Sequence, residues 1–207
     1  GIGSAYPCTL NASNFRFAHA FIGLRLHGGP NHTLRNTQFR DCTTAIELIG
    51  SSGQTLNASI FNGLVVRCTN AFAASGAMVN LKAQHMTIAG AQRIRDGITP
   101  GVFEFRNSIL TLVGDTSGVD CDGPKGNAVS STLLSQFNQS AAGAYYLSDG
   151  SAHRNACTTN FLDTQLVSDL SIRTTLAPKL LEGTIRGNRT LSSIPSSNNG
   201  KIGRAHV

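Results

Sequence analysis

The sequence is poor in aromatic and charged residues and contains no tryptophan. Phe, Trp and Tyr make up 6% of the 207 residues, and Asp, Glu, Lys and Arg make up 14%, whereas apolar residues reach 40%. This balance excludes a disordered chain, which combines low hydrophobicity with a high net charge. No apolar run approaches the roughly 18 residues that a membrane-spanning helix needs. We therefore expect no membrane insertion.

Cysteine is also scarce, with five residues in the chain and no C-x-x-C pair among them. A disulfide-stapled scaffold would need more cysteines, and structural zinc sites draw on such pairs. The six histidines show neither an H-E-x-x-H motif nor a spacing of i, i+4. From the sequence we therefore assign no metal-binding residue and no cofactor.

Basic clusters are missing too, although the formal net charge is +6. The arginines are spread singly from Arg16 to Arg189. Nucleic-acid binders instead group Lys and Arg on one face with interleaved aromatic residues. We therefore expect a generic solvated surface and no nucleic-acid partner.

What the sequence does contain is an internal repeat of 22 to 26 residues. Phe15 to Leu26 aligns with Thr37 to Leu48 at an offset of 22, which places Phe17 on Phe39. The further copies are Val65 to Phe72, at an offset of 26 from Phe39 to Ile46, and Val79 to Ile88 with Gly101 to Leu110, again at 22. Each copy alternates apolar and polar residues, which is typical of a half-buried strand.

A period in the twenties fits either a leucine-rich repeat or a β-helix coil, and both are solenoids. The pattern L-x-x-L-x-L-x-x-N is absent. The connections, such as His27 to Thr33 and Ile49 to Thr55, are Gly, Ser and Asn turns without helical periodicity. The sequence therefore predicts an all-β fold, a right-handed parallel β-helix of about five coils followed by an irregular C-terminal segment.

The repeat also divides the chain. We assign residues 1–115 to the coils, 116–195 to an irregular extension that packs on the helix, and 196–207 to a flexible tail. Residues 201–207 read KIGRAHV, which is what translation of a common short-read sequencing adapter gives, so we expect a metagenomic-type fragment. One helical turn is expected at Val167 to Leu170, and an uncapped first coil would make the isolated chain poorly soluble.

The repeat register also pairs charged residues of opposite sign on adjacent coils. The three pairs are Arg25 over Glu47, Asp41 over Arg67, and Lys82 over Glu104. Cross-strand pairs of this kind stabilise a sheet by a few tenths of a kcal/mol. These charges are therefore interpreted as scaffold, which weakens a catalytic role for them.

The segment Asn31 to Ile46, N-H-T-L-R-N-T-Q-F-R-D-C-T-T-A-I, resembles the coil phrase of right-handed parallel β-helix repeat proteins of the pectate-lyase-like superfamily. The resemblance covers about residues 10 to 115 and is specific to the fold. The later stretches Gly143 to Asn160 and Arg173 to Pro178 are similar to the region after the coils in large secreted proteins of environmental bacteria. The resemblance implies a secreted or cell-surface bacterial protein.

The resemblance also implies what an active site would contain. Polysaccharide lyases of this fold gather acidic residues around Ca²⁺ beside an Arg or Lys base, and the related hydrolases place Asp residues on neighbouring coils. The acidic residues between positions 10 and 113 are Asp41, Glu47, Asp96 and Glu104, and no two of them coincide in register on adjacent coils. Arg93 to Asp96 resembles a hydrolase substrate-binding motif but stands without the Asp pairs. We therefore assign no catalytic residue.

Two further features have two interpretations each. The loop Asp115 to Asn127 carries Asp115, Asp120 and Asp122 and could bind Ca²⁺, but it lacks the spaced ligands of an EF-hand, so a turn with Asx contacts is favoured. Cys42 and Cys68 fall on adjacent coils, where buried thiols are favoured over a disulfide.

The function favoured by these observations is a non-catalytic extracellular or cell-surface scaffold, with an extracellular polysaccharide as the candidate partner. The alternative is a fragment of a polysaccharide lyase or glycoside hydrolase whose catalytic coils lie upstream of Gly1. A third interpretation is an oligomerising adhesin-like segment.

Overall fold

The computed structural model describes residues 8–29, 31–97 and 99–130, together with positions 137, 145, 147–148, 151–153, 156, 158 and 164–166. Eleven strands lie within this part of the chain. They are β1 (Asn11–Ala18), β2 (Ile22–His27), β3 (His32–Arg40), β4 (Thr44–Gly50), β5 (Leu56–Val66), β6 (Asn70–Gly76), β7 (Val79–Ala89), β8 (Arg93–Asp96), β9 (Phe103–Arg106), β10 (Ile109–Thr111) and β11 (Ala128–Ser130). A short 3-10 helix at Gly123–Lys125 precedes the last strand.

The strands form two parallel sheets that wind around one core. The first sheet runs β1-β3-β5-β7-β10-β11, with β9 also paired to β7, and the second runs β2-β4-β6-β8. Each strand therefore pairs with the strand one turn further along the chain. This is a parallel β-solenoid of about five turns, which confirms the predicted fold class.

The repeat read from the sequence is the register of the strands. Phe17 pairs with Phe39 across β1 and β3, and their rings stack with centroids 5.8 Å apart. Arg25 pairs with Glu47, and Lys82 pairs with Glu104, as the offsets of 22 predicted. The offset of 26 between β3 and β5 arises from a longer turn at residues 51–55.

In the core, equivalent side chains of successive turns stack on one another and form columns along the solenoid axis. The core includes Leu34, Ile60, Ala83 and Phe105, all fully buried. A lone coil could not bury such residues, because both of its open faces would stay in water.

Each long strand of the first sheet bends at one residue with a positive φ. In successive turns these residues are Asn14, Asn36, Asn62, His85 and Asn107, with φ between 49° and 59°. Asn reaches this left-handed conformation more readily than other non-glycine residues, because its short amide can hydrogen-bond locally.

Three of these asparagines, Asn14, Asn36 and Asn62, form a hydrogen-bonded ladder. Asn36 Nδ2 donates to Asn14 Oδ1 at 2.9 Å, and Asn62 Nδ2 donates to Asn36 Oδ1 at 3.0 Å. The spacings of 22 and 26 residues between them are the signal in the sequence that could have revealed this ladder.

The described residues of the C-terminal segment contact the outer side of the first sheet. Tyr145 packs against Leu64 and Val66, while Phe137 and Leu147 cluster with Ile109. Residues 164–166 are helical. The expected turn at Val167 to Leu170 and the tail at 196–207 lie outside the described residues, and the domain boundaries remain predictions.

Candidate functional site

A cleft of about 460 Å³ opens at the last strand of the second sheet. Strand β8 with Gly97 and Thr99 forms one wall of the cleft. The turn after β10, with Ser117 and Gly118, forms the other. The lining residues are Arg93, Arg95, Asp96, Gly97, Thr99, Ser117 and Gly118. The lining includes residues of the motif Arg93 to Asp96, to which the sequence assigns no catalytic residue.

Arg95 occupies a position that is apolar in the preceding turns. It pairs in register with Phe72, which pairs with Ile46, and both of these side chains are fully buried. The guanidinium carbon of Arg95 lies 4.3 Å from the centroid of the Phe103 ring, within range of a cation–π interaction. Desolvation lowers the pKa of Arg95. The guanidinium group of Arg95, which stays charged in proteins despite this shift, lies at the edge of the core.

The same side chain joins the two walls of the cleft. Arg95 Nη2 donates to the carbonyl oxygen of Thr99 at 2.6 Å and to its Oγ1 at 3.1 Å. Arg95 Nη1 donates to the carbonyl oxygen of Gly118 at 3.1 Å. These hydrogen bonds hold the turn after β8 against the turn that follows β10, so Arg95 fixes the width of the cleft.

Arg93 and Asp96 lie at the mouth of the cleft and form an ion pair. Arg93 Nη1 lies 2.8 Å from Asp96 Oδ1, and the two side chains are 48% and 43% exposed. Asn70 Nδ2 donates to the other carboxylate oxygen, Asp96 Oδ2, at 3.1 Å. The ion pair is therefore accessible to a ligand while Asn70 holds its carboxylate in place.

Asp115 lies one turn beyond Arg93, and the two residues form a backbone β-bridge. The backbone N–H of Ser117 donates to Asp115 Oδ1 at 2.8 Å. This hydrogen bond, with a smaller contribution from the charge of Arg93, lowers the pKa of Asp115. The sequence predicts a loop at Asp115, and the offset of 22 residues from Arg93 is the signal that could have revealed the bridge.

A column of polar side chains follows the second sheet to the cleft, and its first two members, Thr44 and Asn70, are buried, with 8% exposure each. Thr44 pairs in register with Asn70, and Asn70 pairs with Arg93. Asn70 Nδ2 also contacts Thr44 Oγ1 at 3.4 Å. Hydroxyl, amide and guanidinium groups thus follow one another at the spacing of the turns.

Two of the three predicted coil-to-coil ion pairs are present. Arg67 Nε lies 2.7 Å from Asp41 Oδ1, and Arg25 contacts Glu47. The hydrogen bond from Arg67 is the first cause of a lowered pKa of Asp41. These charges stabilise the stack, as the sequence indicated.

The prediction of a third ion pair, between Lys82 and Glu104, was wrong. Lys82 and Glu104 share the predicted register, but Glu104 Oε1 lies 3.0 Å from Arg106 Nη2 and 3.5 Å from Lys125 Nζ. Among the described residues no ion pair joins Lys82 to Glu104. Arg106, two residues further along the strand, and Lys125, in the turn before β11, compete successfully for the carboxylate.

In the loop Asp115 to Asn127, the candidate Ca²⁺ site, Asp115 and Asp120 make other contacts. Asp120 contacts Lys125, and this hydrogen bond is the first cause of a lowered pKa of Asp120. Ser117 holds Asp115 in an Asx turn. Within the described part of the chain, no group of three or more His, Cys, Asp or Glu side chains could hold a metal ion.

Cys42 and Cys68 are both free thiols and both buried. The backbone N–H of Thr69 donates to the carbonyl oxygen of Cys42, which confirms that the two cysteines lie on adjacent turns. Burial raises the pKa of Cys68 to about 12. The favoured interpretation, buried thiols, therefore agrees with the structure, and neither cysteine belongs to the cleft.

The cleft offers hydrogen-bond donors and acceptors side by side. Arg93 supplies N–H groups, Asp96 supplies carboxylate acceptors, and Thr99 and Ser117 supply hydroxyls. Such a set suits a polar ligand rich in hydroxyl groups. No helix of the described residues is long and apolar enough to cross a membrane.

No family model, no curated protein and no solved structure matched the chain. The geometry therefore shows the architecture, a parallel β-solenoid scaffold with a polar cleft beside Arg93.

Proposed function

We propose that this chain is a non-catalytic extracellular scaffold that binds a polysaccharide at the cleft beside strand β8. The observation that carries the proposal is the half-exposed ion pair of Arg93 and Asp96 at the mouth of the cleft. Arg93 supplies N–H donors and Asp96 supplies carboxylate acceptors, and sugar hydroxyl groups can both accept and donate hydrogen bonds. A polymer of hydroxyl-rich units is therefore a natural partner for this ion pair.

The electrostatics of the cleft favour binding over catalysis. A glycosidase needs one carboxyl group that stays protonated near neutral pH, so that it can act as the general acid. The pKa of Asp115 is instead lowered by Ser117, and Asp96 pairs with Arg93. The environment of Asp115 therefore favours its ionised form, which cannot act as a general acid. The Asp96 carboxyl group can accept hydrogen bonds from sugar hydroxyls.

Affinity electrophoresis tests this proposal. The chain is run through gels that contain polygalacturonate, alginate or a neutral xylan. The expected result is retardation in at least one gel, abolished in the double variant Arg93→Ala/Asp96→Ala, which removes both charges of the ion pair together. Lys82→Ala is the matched control, since Lys82 lies on the other sheet and outside the cleft. Mobility unchanged in every gel would overturn the proposal.

An enzyme is the second candidate, because Asp96 pairs with Arg93 and Asp115 lies beside Arg93 in the backbone register of the next turn. Two carboxylates beside an arginine are the minimum that a lyase or hydrolase of acidic polysaccharides would use. The test is a time course with polygalacturonate or alginate in the presence of Ca²⁺. Accumulating unsaturated or reducing ends, lost in Asp96→Asn and in Asp115→Asn, would establish the enzyme and replace the scaffold proposal.

The extracellular location is part of the proposal and is tested separately. The natural full-length protein, tagged at its C-terminus, is expected in the medium or at the cell surface of its host. Recovery of the tagged protein in the cytoplasm alone would contradict it.

A further inference from the structure

Three pairs of asparagine or aspartate followed by glycine lie in the described part of the chain. They are Asn62–Gly63, Asp96–Gly97 and Asp122–Gly123. In such a pair the backbone nitrogen of the glycine can attack the side-chain carbonyl carbon of the residue before it, because glycine has no β-carbon to hinder the approach. The reaction needs a side chain and a backbone N–H that are not held by other contacts. The fold decides which pair meets this condition.

The pair Asn62–Gly63 is fixed within the first sheet. Asn62 is buried, and its Nδ2 donates to Asn36 Oδ1 at 3.0 Å. Gly63 pairs in register with Thr37 on one side and with Met86 on the other. Both groups that would react are therefore held in a continuous sheet.

The pair Asp96–Gly97 is held as well. Arg93 Nη1 and Asn70 Nδ2 each contact one oxygen of the Asp96 carboxylate, at 2.8 and 3.1 Å. Gly97 has a φ of 87°, and a β-carbon there would lie 2.2 Å from the carbonyl oxygen of Ala74. The backbone at Gly97 is thus packed closely against the preceding turn, and ring closure would displace the carboxylate from both of its partners.

The pair Asp122–Gly123 lies in an exposed turn at the start of the 3-10 helix. Asp122 is the N-cap residue, yet its side chain makes no capping hydrogen bond. The N–H of Gly123 is at the first position of the helix, where a backbone donor has no partner within the helix. Among the described residues no hydrogen bond reaches this N–H or the Asp122 carboxylate. This pair therefore meets the condition that the other two fail.

We propose that Asp122–Gly123 is a site of spontaneous covalent modification, at which aspartate converts to isoaspartate. The Gly123 nitrogen bonds to Asp122 Cγ, and its proton leaves with a hydroxyl group of the carboxyl as water. The resulting succinimide ring then takes up a water molecule. Opening at the backbone carbonyl carbon leaves the chain linked through Cγ, which is isoaspartate, and opening at Cγ restores aspartate. Water is the only co-reactant, and the inference is independent of polysaccharide binding.

The modification acts on the attachment of β11. The Asp122 carbonyl oxygen accepts hydrogen bonds from the Lys125 N–H and from Asn127 Nδ2, both at 3.1 Å. The same Asn127 amide donates to the carbonyl oxygen of Phe105 at 2.7 Å and accepts from the N–H of Ser108 at 3.1 Å. Isoaspartate lengthens the backbone by a methylene group and takes this carbonyl group out of the chain as a carboxylate. We therefore expect β11 to be loosened from β10.

The experiment follows the three pairs in the same sample. The folded chain is kept for weeks at mildly acidic pH in water enriched in heavy oxygen, then digested in ordinary water and analysed by peptide mass spectrometry. The peptide that contains Asp122 is expected to give a second chromatographic peak that carries the heavy isotope. The peptides that contain Asn62 and Asp96 are expected to stay single and unlabelled. In a parallel sample kept unfolded in urea, all three peptides are expected to react.

Two variants are matched controls for the chemistry. Asp122→Glu keeps the charge, but its longer side chain cannot close the same ring, so the second peak should be lost. Gly123→Ala should slow the appearance of that peak, because the added β-carbon hinders the attack. A β-carbon at Gly123 meets no atom within 4 Å, so this variant is expected to fold like wild type. Circular dichroism spectra check the folding of both.

Hydrogen exchange measures the effect on β11. The Ala128 N–H donates to the carbonyl oxygen of Ser108 at 2.9 Å, and its exchange should be faster in the aged chain than in the fresh chain. The aged Asp122→Glu variant should exchange like the fresh chain. Equal exchange in aged and fresh wild type would refute the effect on β11.

Two results would overturn the proposed site. The first is an Asp122 peptide that stays single in the folded chain while it reacts in urea. The second is reaction of the Asp96 peptide in the folded chain at the rate of the Asp122 peptide, which would show that the fold does not select the site.

Discussion

Asn62 Nδ2 donates to Asn36 Oδ1 at 3.0 Å across 26 residues of sequence, and Asn36 in turn donates to Asn14. Asn36 is 5% exposed and holds a φ of 55°. One side chain therefore hydrogen-bonds to polar groups on both neighbouring turns, the exposed Asn14 and the buried Asn62, while its backbone adopts the left-handed bend. The alignment of the first three turns depends on this residue.

Replacing Asn36 should destabilise the solenoid. Asn36→Ala removes both ladder hydrogen bonds and leaves a β-carbon at a left-handed φ, so we expect a loss of about 2 to 4 kcal/mol in the free energy of unfolding. Asn36→Gly removes the same hydrogen bonds but adopts that φ without strain, so its loss should be smaller. Urea unfolding followed by circular dichroism measures both. A glycine variant less stable than the alanine variant would contradict the role of the bend.

His85 occupies the next bend of the column and should make stability depend on pH. Burial lowers the pKa of His85 from its ordinary 6.5 to about 4. Between these values the unfolded chain binds a proton that the folded chain does not, so stability falls as pH falls from 6.5 towards 4. At about 1.4 kcal/mol per pKa unit, the loss reaches roughly 3 kcal/mol.

The variant His85→Asn tests this assignment. Asparagine cannot titrate, tolerates a positive φ, and places an amide donor near Asn62 Oδ1, which accepts no hydrogen bond from the described residues. Urea midpoints measured from neutral pH to about pH 4.5 should fall more steeply for wild type than for the variant. Equal slopes for the two chains would rule out His85 as the titrating group.

The cysteines should differ sharply in reactivity. Cys8 is exposed, whereas burial raises the pKa of Cys68 to about 12, so almost none of its thiolate form is present in the folded chain. Iodoacetamide at mildly alkaline pH should label Cys8 and leave Cys42 and Cys68 unmodified until urea is added. Peptide mass spectrometry measures the extent of labelling at each cysteine. Labelling of Cys68 as fast as Cys8 in the folded chain would refute the burial.

Asn107 should attach the C-terminal segment to the solenoid. Thr158 donates its backbone N–H to Asn107 Oδ1 at 2.9 Å, and Asn107 Nδ2 donates to the carbonyl oxygen of Thr158 at 3.3 Å. Thr158→Pro removes the N–H and should accelerate proteolysis after Ser130, while residues 8–130 stay resistant. Thr158→Ala keeps both backbone groups and should be cleaved like wild type. Equal cleavage rates in the two variants would show that this contact does not hold the segment.

Much of the fold could be predicted because a solenoid repeats its register in the sequence. The offset of 22 placed Phe17 on Phe39, and the offset of 26 placed Cys42 beside Cys68 on the adjacent turn. Regular alternation decided which side chains point inward, since successive residues of a strand face opposite sides. The candidate site was predicted less well. The repeat fades near Asp115, and the motif Arg93 to Asp96 does not show which residues of other turns its side chains contact.

The sequence by itself determined the period, the parallel pairing of the turns and the absence of any long apolar run. The tertiary structure decided which groups contact one another within that register. Glu104 pairs with Arg106 and Lys125 and not with Lys82, and Arg95 lies at the edge of the core, where it contacts Phe103, Thr99 and Gly118. The physical reason is that register is a property of spacing along the chain. The partner of a charged side chain, by contrast, depends on every group that turns and loops bring within reach in three dimensions.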